Sequence, residues 1–348
     1  MYSKGKDLEK FRKFKGPLID VRSPGEYYKG NMSNSINIPL FDNEERSIIG
    51  TIYKNNGRDK AVIQGLKFIE NKIDNLVNNL FDVIDFYKYK NNDSYLEDPI
   101  LKIYCARGGM RSLSISWLLE KFKIKTITLK GGYKSYRAWT LNSFNNKWDI
   151  IVIGGKTGTG KTSLLKLLDQ NNFQILDLEE IACHRGSTFG GLGMKEQPSN
   201  EQFENIIAEK LKNFKKDKPI YVEAESANIG KCRIPYEFFK LMKSANRIEI
   251  IKSESNRLEE LIKTYSIFEE EELIAAVLRI RKKLGPQRTK MAIKSIKNKD
   301  WKTVCKSVLE YYDKCYEYEK QGKKNIKILN MTDIFDDKKA LKLIKEFM

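Results

Sequence analysis

Apolar residues recur along the chain in two rhythms: short continuous runs bounded by glycine, proline or charge, which predict buried strands, and a three-to-four spacing, which predicts helices. Residues 17–22 (Pro-Leu-Ile-Asp-Val-Arg), 35–39 (Ser-Ile-Asn-Ile-Pro), 99–104 (Pro-Ile-Leu-Lys-Ile-Tyr) and 126–129 (Thr-Ile-Thr-Leu) read as strands. Between the second and third, Leu66, Ile69, Ile73, Leu76, Leu80 and Ile84 keep helical spacing within residues 59–89, and residues 112–122 predict a helix after the third. A polar stretch, Asn142 to Lys147, precedes a second series, with strands at 148–153, 173–178 and 220–225 and a helix from Ser163 to Leu168. Alternating strands and helices argue for α/β architecture with parallel sheets. The expected organisation is a parallel-sheet domain over residues 1–141, a second α/β domain over 142–300, and a helical C-terminal segment, 301–348, packed on the second domain.

The chain has 348 residues, enough for two domains with separate cores. It shows no signal peptide and no apolar run long enough for a bilayer, so a cytoplasmic protein with no membrane partner is expected, and a monomer is favoured. Five cysteines without even spacing speak against a disulfide framework. With one histidine, His184, a structural zinc site is not expected, nor is any tightly bound cofactor. The net charge is +18. Residues 101–150 hold ten Lys/Arg against two Asp/Glu, and residues 281–310 repeat that balance, whereas Glu254 to Glu272 is acidic. Two basic islands are the footprint of a polyanionic partner, nucleic acid above all.

Two segments carry chemistry. Cys105 opens the loop Cys105-Ala106-Arg107-Gly108-Gly109-Met110-Arg111 between a strand and a helix. Free amides at the helix start, the helix dipole, Arg107 and Arg111 are expected to favour the thiolate, and the glycines let the backbone curl into an oxyanion cradle. The competing reading is an inert buried thiol. In the second series a strand runs into Gly155-Lys156-Thr157-Gly158-Thr159-Gly160-Lys161-Thr162 and then a helix, which is a phosphate-binding loop in its required setting. Its amides would wrap a diphosphate, Lys161 would reach a terminal phosphate, and Thr162 is placed to hold Mg2+. Asp177 and Glu223, with Glu225 beside it, close short strands and are candidate metal-ordering carboxylates; each reads equally well as a cap or an ion-pair partner.

Asp20-Val21-Arg22-Ser23-Pro24-Gly25-Glu26-Tyr27, Ile36-Asn37-Ile38-Pro39 and the Cys105 loop resemble a rhodanese domain. Glu45-Arg46 with Gly50 to Lys54, Gly131-Gly132-Tyr133-Lys134, the fused phosphate loop, Asp177-Leu178-Glu179, His184 to Ser187, Glu223 to Ser226 and Leu284 to Arg288 narrow this. Together they resemble the bacterial tRNA 2-selenouridine synthases, from about Pro17 to about Arg288, with Pro286 a departure where a small residue is expected. The resemblance implies a transferase acting on tRNA with 2-thiouridine at the wobble position, geranylating its sulfur with geranyl diphosphate and replacing it with selenium from selenophosphate. It implies that Cys105 carries the selenium as a selenosulfide-type adduct, and that Gly65 belongs to the geranyl step. Cys-x5-Arg also resembles the longer loop of cysteine phosphatases, which suits a phosphate-sized donor such as selenophosphate.

On these substrates the phosphate loop is expected to cradle geranyl diphosphate rather than a hydrolysed nucleotide. The expected tRNA contacts include Lys134 and Arg137 near the first island, and Arg281, Lys282, Lys283 and Arg288 in the second, with His184 and Arg185 near substrate or diphosphate. Tyrosines 311, 312, 316 and 318 read as helix packing rather than base stacking. The rival readings are a P-loop kinase or NTPase with a regulatory rhodanese module, a rhodanese-fold phosphatase, and an RNA-binding protein without turnover.

Overall fold

The computed structural model describes residues 5–90, 99–187, 189–320, 326–332 and 337–345. Two compact units divide the chain, Met1–Ser143 and Phe144–Met348. Both are α/β with parallel sheets, as the alternation predicts.

In the first unit, β1 (Leu18–Asp20), β2 (Ser35–Asn37), β3 (Leu101–Tyr104) and β4 (Thr126–Thr128) form a parallel sheet in the order β2-β1-β3-β4. A parallel sheet needs cover on both faces. One apolar cluster joins Ile19, Leu101 and Ile103 to Leu80, Ile84, Ile115 and Leu119 of the helices, while another gathers Phe11, Tyr104, Tyr133 and Tyr136. Arg22 is buried against Asp20, 2.6 Å between Nη2 and Oδ2, donates to the Gly30 carbonyl at 2.6 Å, and lies 3.7 Å over the Tyr133 ring. That bracket pins the helix Pro24–Lys29, whose start carries a reciprocal cap between Ser23 and Glu26.

The helical rhythm of residues 59–89 belongs to two helices, Arg58–Glu70 and Ile73–Lys90. Their apolar faces differ: Leu76, Leu80 and Ile84 are buried, whereas Leu66 is 63% exposed.

In the second unit, β5 (Ile150–Gly155), β6 (Gln174–Leu176), β7 (Ile220–Glu223), β10 (Asn246–Ile251) and β11 (Ile326–Asn330) form a parallel sheet ordered β11-β10-β5-β7-β6. A short antiparallel pair, β8 (Asn228–Ile229) and β9 (Cys232–Arg233), stands apart. Leu164, Leu165 and Leu168 of the helix Lys161–Gln170 bury against the sheet. Helices between Glu254 and Lys320 enclose a further cluster with Leu273, Val277, Ile280, Ala292, Ile296 and Val304.

The C-terminal segment departs from expectation. Residues 301–348 are not only helical, because β11 pairs with β10 and extends the central sheet. The P-loop unit therefore does not end at residue 300. As an edge strand, β11 leaves Ile328 57% exposed and buries Leu329, so it lacks the apolar run of a central strand. Among the described residues no helix is long and apolar enough to cross a membrane.

Candidate functional site

Cys105 directly follows β3 and is buried. Its Sγ lies 3.3 Å from the Ser112 hydroxyl and 3.9 Å from the Gly109 carbonyl. Ser112 sits in the first turn of the helix Met110–Lys121, whose N-cap, Gly109, offers no side-chain acceptor, so the helix start is open toward the thiol loop. Backbone bonds from Tyr133 N to Cys105 O (2.8 Å) and from Lys134 N to Ala106 O (2.9 Å) tie the loop to residues after β4. Gly108 and Gly132 both take positive φ, and a Cβ on Gly132 would lie 2.2 Å from the Cys105 carbonyl, so this close approach requires glycine.

Arg111 does not act as a free cation at the thiol. Its guanidinium holds Glu26 at 2.7 and 3.3 Å, with Arg46 a further 3.7 Å from that carboxylate. No local pattern connects Glu26 with Arg111, since 85 residues separate them. Arg107 is exposed.

Beside this loop lies an apolar cavity of about 290 Å3, lined by Phe41, Ile49, Tyr53, Gly65, Leu66 and Met110, with Arg46, Arg58 and Arg111 also on its wall. Gly65 falls in the middle of the helix Arg58–Glu70. A Cβ there would meet Phe41 Cζ at 3.2 Å and Ile49 Cδ1 at 3.7 Å, so the missing side chain lets these two close in.

The phosphate loop connects β5 to the helix Lys161–Gln170, with Gly158 and Gly160 at φ +80 and +92. Thr159 Oγ1 donates to the Lys156 carbonyl at 2.8 Å, and Lys161 Nζ to the Gly155 carbonyl at 3.0 Å. Residues absent from the motif hold the loop from outside. Arg257 donates from Nε to the Thr157 carbonyl at 2.8 Å and binds Asp313 through its two terminal nitrogens, and Lys156 lies 3.7 Å from Asp313. Gly155 N–H donates to the Tyr316 hydroxyl at 2.6 Å, and that hydroxyl in turn donates to Glu249 at 2.6 Å. Helical spacing reads Tyr316 as packing, and nothing local to Arg257 or Asp313 points to the loop.

Carboxylates gather behind the loop. Glu223, at the end of β7, is fully buried, and one ligand oxygen from each of Glu179, Glu223 and Glu225 lies within 4.8 Å of the others. Burial, Glu179 and Asp177 push the Glu223 carboxyl up, against Lys161 and the Thr162 hydroxyl, which pull it down. Burial and then Glu225 push Glu179 up to about 8. Asp177 does not join this group. Its side chain caps the helix Leu178–Ala182, accepting from Glu180 N at 2.7 Å, which favours the capping reading of this residue over the metal-ordering one.

The remaining candidates divide between scaffold and surface. Arg185 donates to the Leu192 carbonyl at 2.9 Å. Burial and Arg279 lower the His184 pKa, and its amide bonds the Glu179 carbonyl at 3.0 Å. Arg281, Lys282 and Lys283 are exposed on the short helix Arg281–Leu284, and Lys134 is exposed on the helix Gly132–Ser143, which also carries the half-buried Arg137. Arg288 makes a surface ion pair with Glu310 at 3.4 Å. Tyr311 and Tyr312 pack edge to face at 5.1 Å, while Tyr318 lies outside the described side chains.

A parallel sheet with a glycine-rich loop leading from its central strand into a helix, and carboxylates at the end of the next strand, defines a P-loop protein. A family model described as the tRNA 2-selenouridine synthase AAA domain matches residues 148–336. The tRNA 2-selenouridine synthase of Hydrogenovibrio crunogenus is 31% identical over 350 residues, 88% of this chain and 90% of that protein. That of Nitrosomonas eutropha is 34% identical over 257 residues, 72% of this chain. The matched stretch spans 63% of the length of the Nitrosomonas protein, under two thirds. A solved N-terminal domain, provisionally named as part of an ATP/GTP-binding protein of Clostridium difficile 630, is 34% identical over 40% of this chain and 99% of its own, with a TM-score of 0.34. The chain belongs to the tRNA 2-selenouridine synthase family.

Proposed function

We propose that this protein converts 2-thiouridine at the wobble position of tRNA to 2-selenouridine. On this reading geranyl diphosphate alkylates the sulfur, and selenium from selenophosphate then displaces geranyl thiol. A thiocarbonyl sulfur leaves poorly and an S-alkyl thiol leaves readily, so the first step activates C2 for the second. The observation that carries the reading is a shared wall: Met110 and Arg111, at the end of the Cys105 loop, also line the apolar cavity. At about 290 Å3 that cavity is near the lower end of the usual range for small-molecule sites, which suits the geranyl group that the sulfur carries into the displacement step.

Selenium in selenophosphate already stands at the selenide level, on phosphorus. Cys105 thiolate therefore attacks phosphorus; the P–Se bond breaks, a P–S bond forms, and hydrogen selenide is released. Hydrogen selenide, as HSe−, adds to C2 of the S-geranyl uridine, its proton passes to the ring nitrogen N3, which carries none after alkylation, and geranyl thiolate leaves. Water then cleaves the cysteinyl phosphate to phosphate. No electrons change hands, whereas loading selenium onto the Cys105 sulfur as a selenosulfide would need an oxidant. Ser112 is placed to donate to the sulfur in its thiolate form. The phosphate loop takes the diphosphate of the prenyl donor, and exposed Arg107, Lys134, Arg281, Lys282 and Lys283 meet tRNA phosphates.

Nucleoside mass spectrometry tests this on 2-thiouridine tRNA incubated with the protein, geranyl diphosphate and selenophosphate. Appearance of 2-selenouridine is expected, with Cys105→Ala stopping at the S-geranyl nucleoside. Unchanged 2-thiouridine despite intact tRNA binding would overturn the reading.

A further inference from the structure

Glu223 combines two properties that proteins rarely tolerate together. Its side chain is wholly buried, and neither carboxylate oxygen has a hydrogen-bond partner among the described residues. The Thr162 hydroxyl is close enough to favour its charged form but does not complete a hydrogen bond. Glu179 and Glu225 bring one oxygen each to within 4.8 Å, from opposite sides in sequence: Glu179 from the helix that follows β6, and Glu225 from just beyond β7.

The surroundings are built around these oxygens. Gly186 stands at φ +67, and a Cβ there would come 2.8 Å from Glu225 Oε2 and 3.0 Å from Glu179 Oε1. The backbone thus covers the carboxylates at a point where no side chain fits. The charge of Lys161 favours the ionised forms of Glu179 and Glu223, but its ammonium donates to the Gly155 carbonyl. Clustered acids of this kind repel unless a positive charge sits among them.

We propose that Glu179, Glu223 and Glu225 form a divalent-cation site for Mg2+ or Mn2+ that fills before any phosphate ligand arrives. Carboxylate oxygens are the donors that hard cations select. In many P-loop proteins the metal comes with the phosphates and meets few protein carboxylates; three of them here let the protein hold the ion unaided. The role of that ion rests on the reading that the phosphate loop takes a diphosphate. Because Thr162 borders Glu223, a cation at the trio is positioned to neutralise a diphosphate on the loop.

The test is Mn2+ titration of the full chain followed by electron paramagnetic resonance, after chelator treatment and with no phosphate compound present. One bound Mn2+ per chain, displaced by Mg2+, is expected. Glu179→Gln and Glu225→Gln should each weaken it by about tenfold or more, and Glu223→Gln should abolish it. Mn2+ should raise the melting temperature of the wild type but not of Glu223→Gln. That variant, freed of the cost of burying an ionisable carboxyl among other acids, should itself melt above the metal-free wild type, which shows it folded. Mn2+ that stays free until pyrophosphate is added, or binding unchanged in Glu223→Gln, overturns the proposal. Pyrophosphate titration of Lys161→Ala reports separately: retained pyrophosphate binding there would remove the diphosphate reading and leave the cation site standing.

Discussion

Arg111 and Glu26 are joined by two hydrogen bonds, at 2.7 and 3.3 Å, which fasten the end of the thiol loop to the helix after β1. Each side chain is 21% exposed, so the pair lies between the surface and buried limits. Burial alone would raise the Glu26 carboxyl; the Arg111 hydrogen bonds and charge outweigh it and hold the group below 4.5. A carboxyl depressed in the fold contributes stability that is present above the unfolded value and lost as pH falls through the folded one. Glu26→Gln is therefore expected to cost about 1–3 kcal/mol near neutral pH and less on acidification below about 4.5. Hydrogen exchange of amides 18–29, followed from neutral pH into the acid range, checks this. A wild type whose protection is unchanged throughout would count against the pair as a stabilising contact.

Gly65 separates a packing role from a substrate role. Alanine should change stability by less than about 1 kcal/mol, because its better helix propensity is offset by the displacement of Phe41, which a Cβ would meet at 3.2 Å. Leucine should occupy part of the cavity. Gly65→Leu is expected to lose conversion of pre-geranylated tRNA to 2-selenouridine while binding tRNA like the wild type, with both read on one preparation by nucleoside mass spectrometry and filter binding. Equal conversion by the alanine and leucine variants would move the geranyl group elsewhere.

Local pattern revealed the features that depend on neighbours in sequence. The thiol loop between β3 and a helix and the phosphate loop after β5 were both legible, since each needs only a strand, a run of special residues and a helix. The partners of those loops were not. Glu26 reaches Arg111 across 85 residues, and Asp313 reaches Arg257 across 56. Strand β10 was also hidden. It reads Asn-Arg-Ile-Glu-Ile-Ile, and the buried Arg247 and Glu249 satisfy each other at 2.9 Å, so the strand is interior without being apolar. Asp177 and Glu223 looked alike at strand ends, and only the fold shows one capping a helix and the other facing two further glutamates.

Tyr316 links the last long helix to the phosphate loop. Its hydroxyl accepts from Gly155 N–H and Arg247 and donates to Glu249, and burial pushes its pKa up, so it stays protonated. Phenylalanine would leave a loop amide and a buried ion pair without that oxygen. Tyr316→Phe is expected to cost about 1–3 kcal/mol and to weaken pyrophosphate binding. Thermal melting with and without pyrophosphate measures both. A loss of stability with unchanged affinity would make the tyrosine a packing residue only.

Lys161 decides what the phosphate loop does. Its ammonium donates to the Gly155 carbonyl at 3.0 Å, an interaction it can exchange for a terminal phosphate. If the loop cradles the diphosphate of a prenyl donor, removing this charge should stop the alkylation of sulfur and leave the later displacement untouched. Lys161→Ala is then expected to yield no S-geranyl nucleoside from 2-thiouridine tRNA, yet to convert pre-geranylated tRNA to 2-selenouridine at the wild-type rate. Normal geranylation by Lys161→Ala would sink the assignment. Failure of both steps would tie the loop to the whole reaction rather than to the prenyl donor, and ATP turnover would become the next quantity to measure.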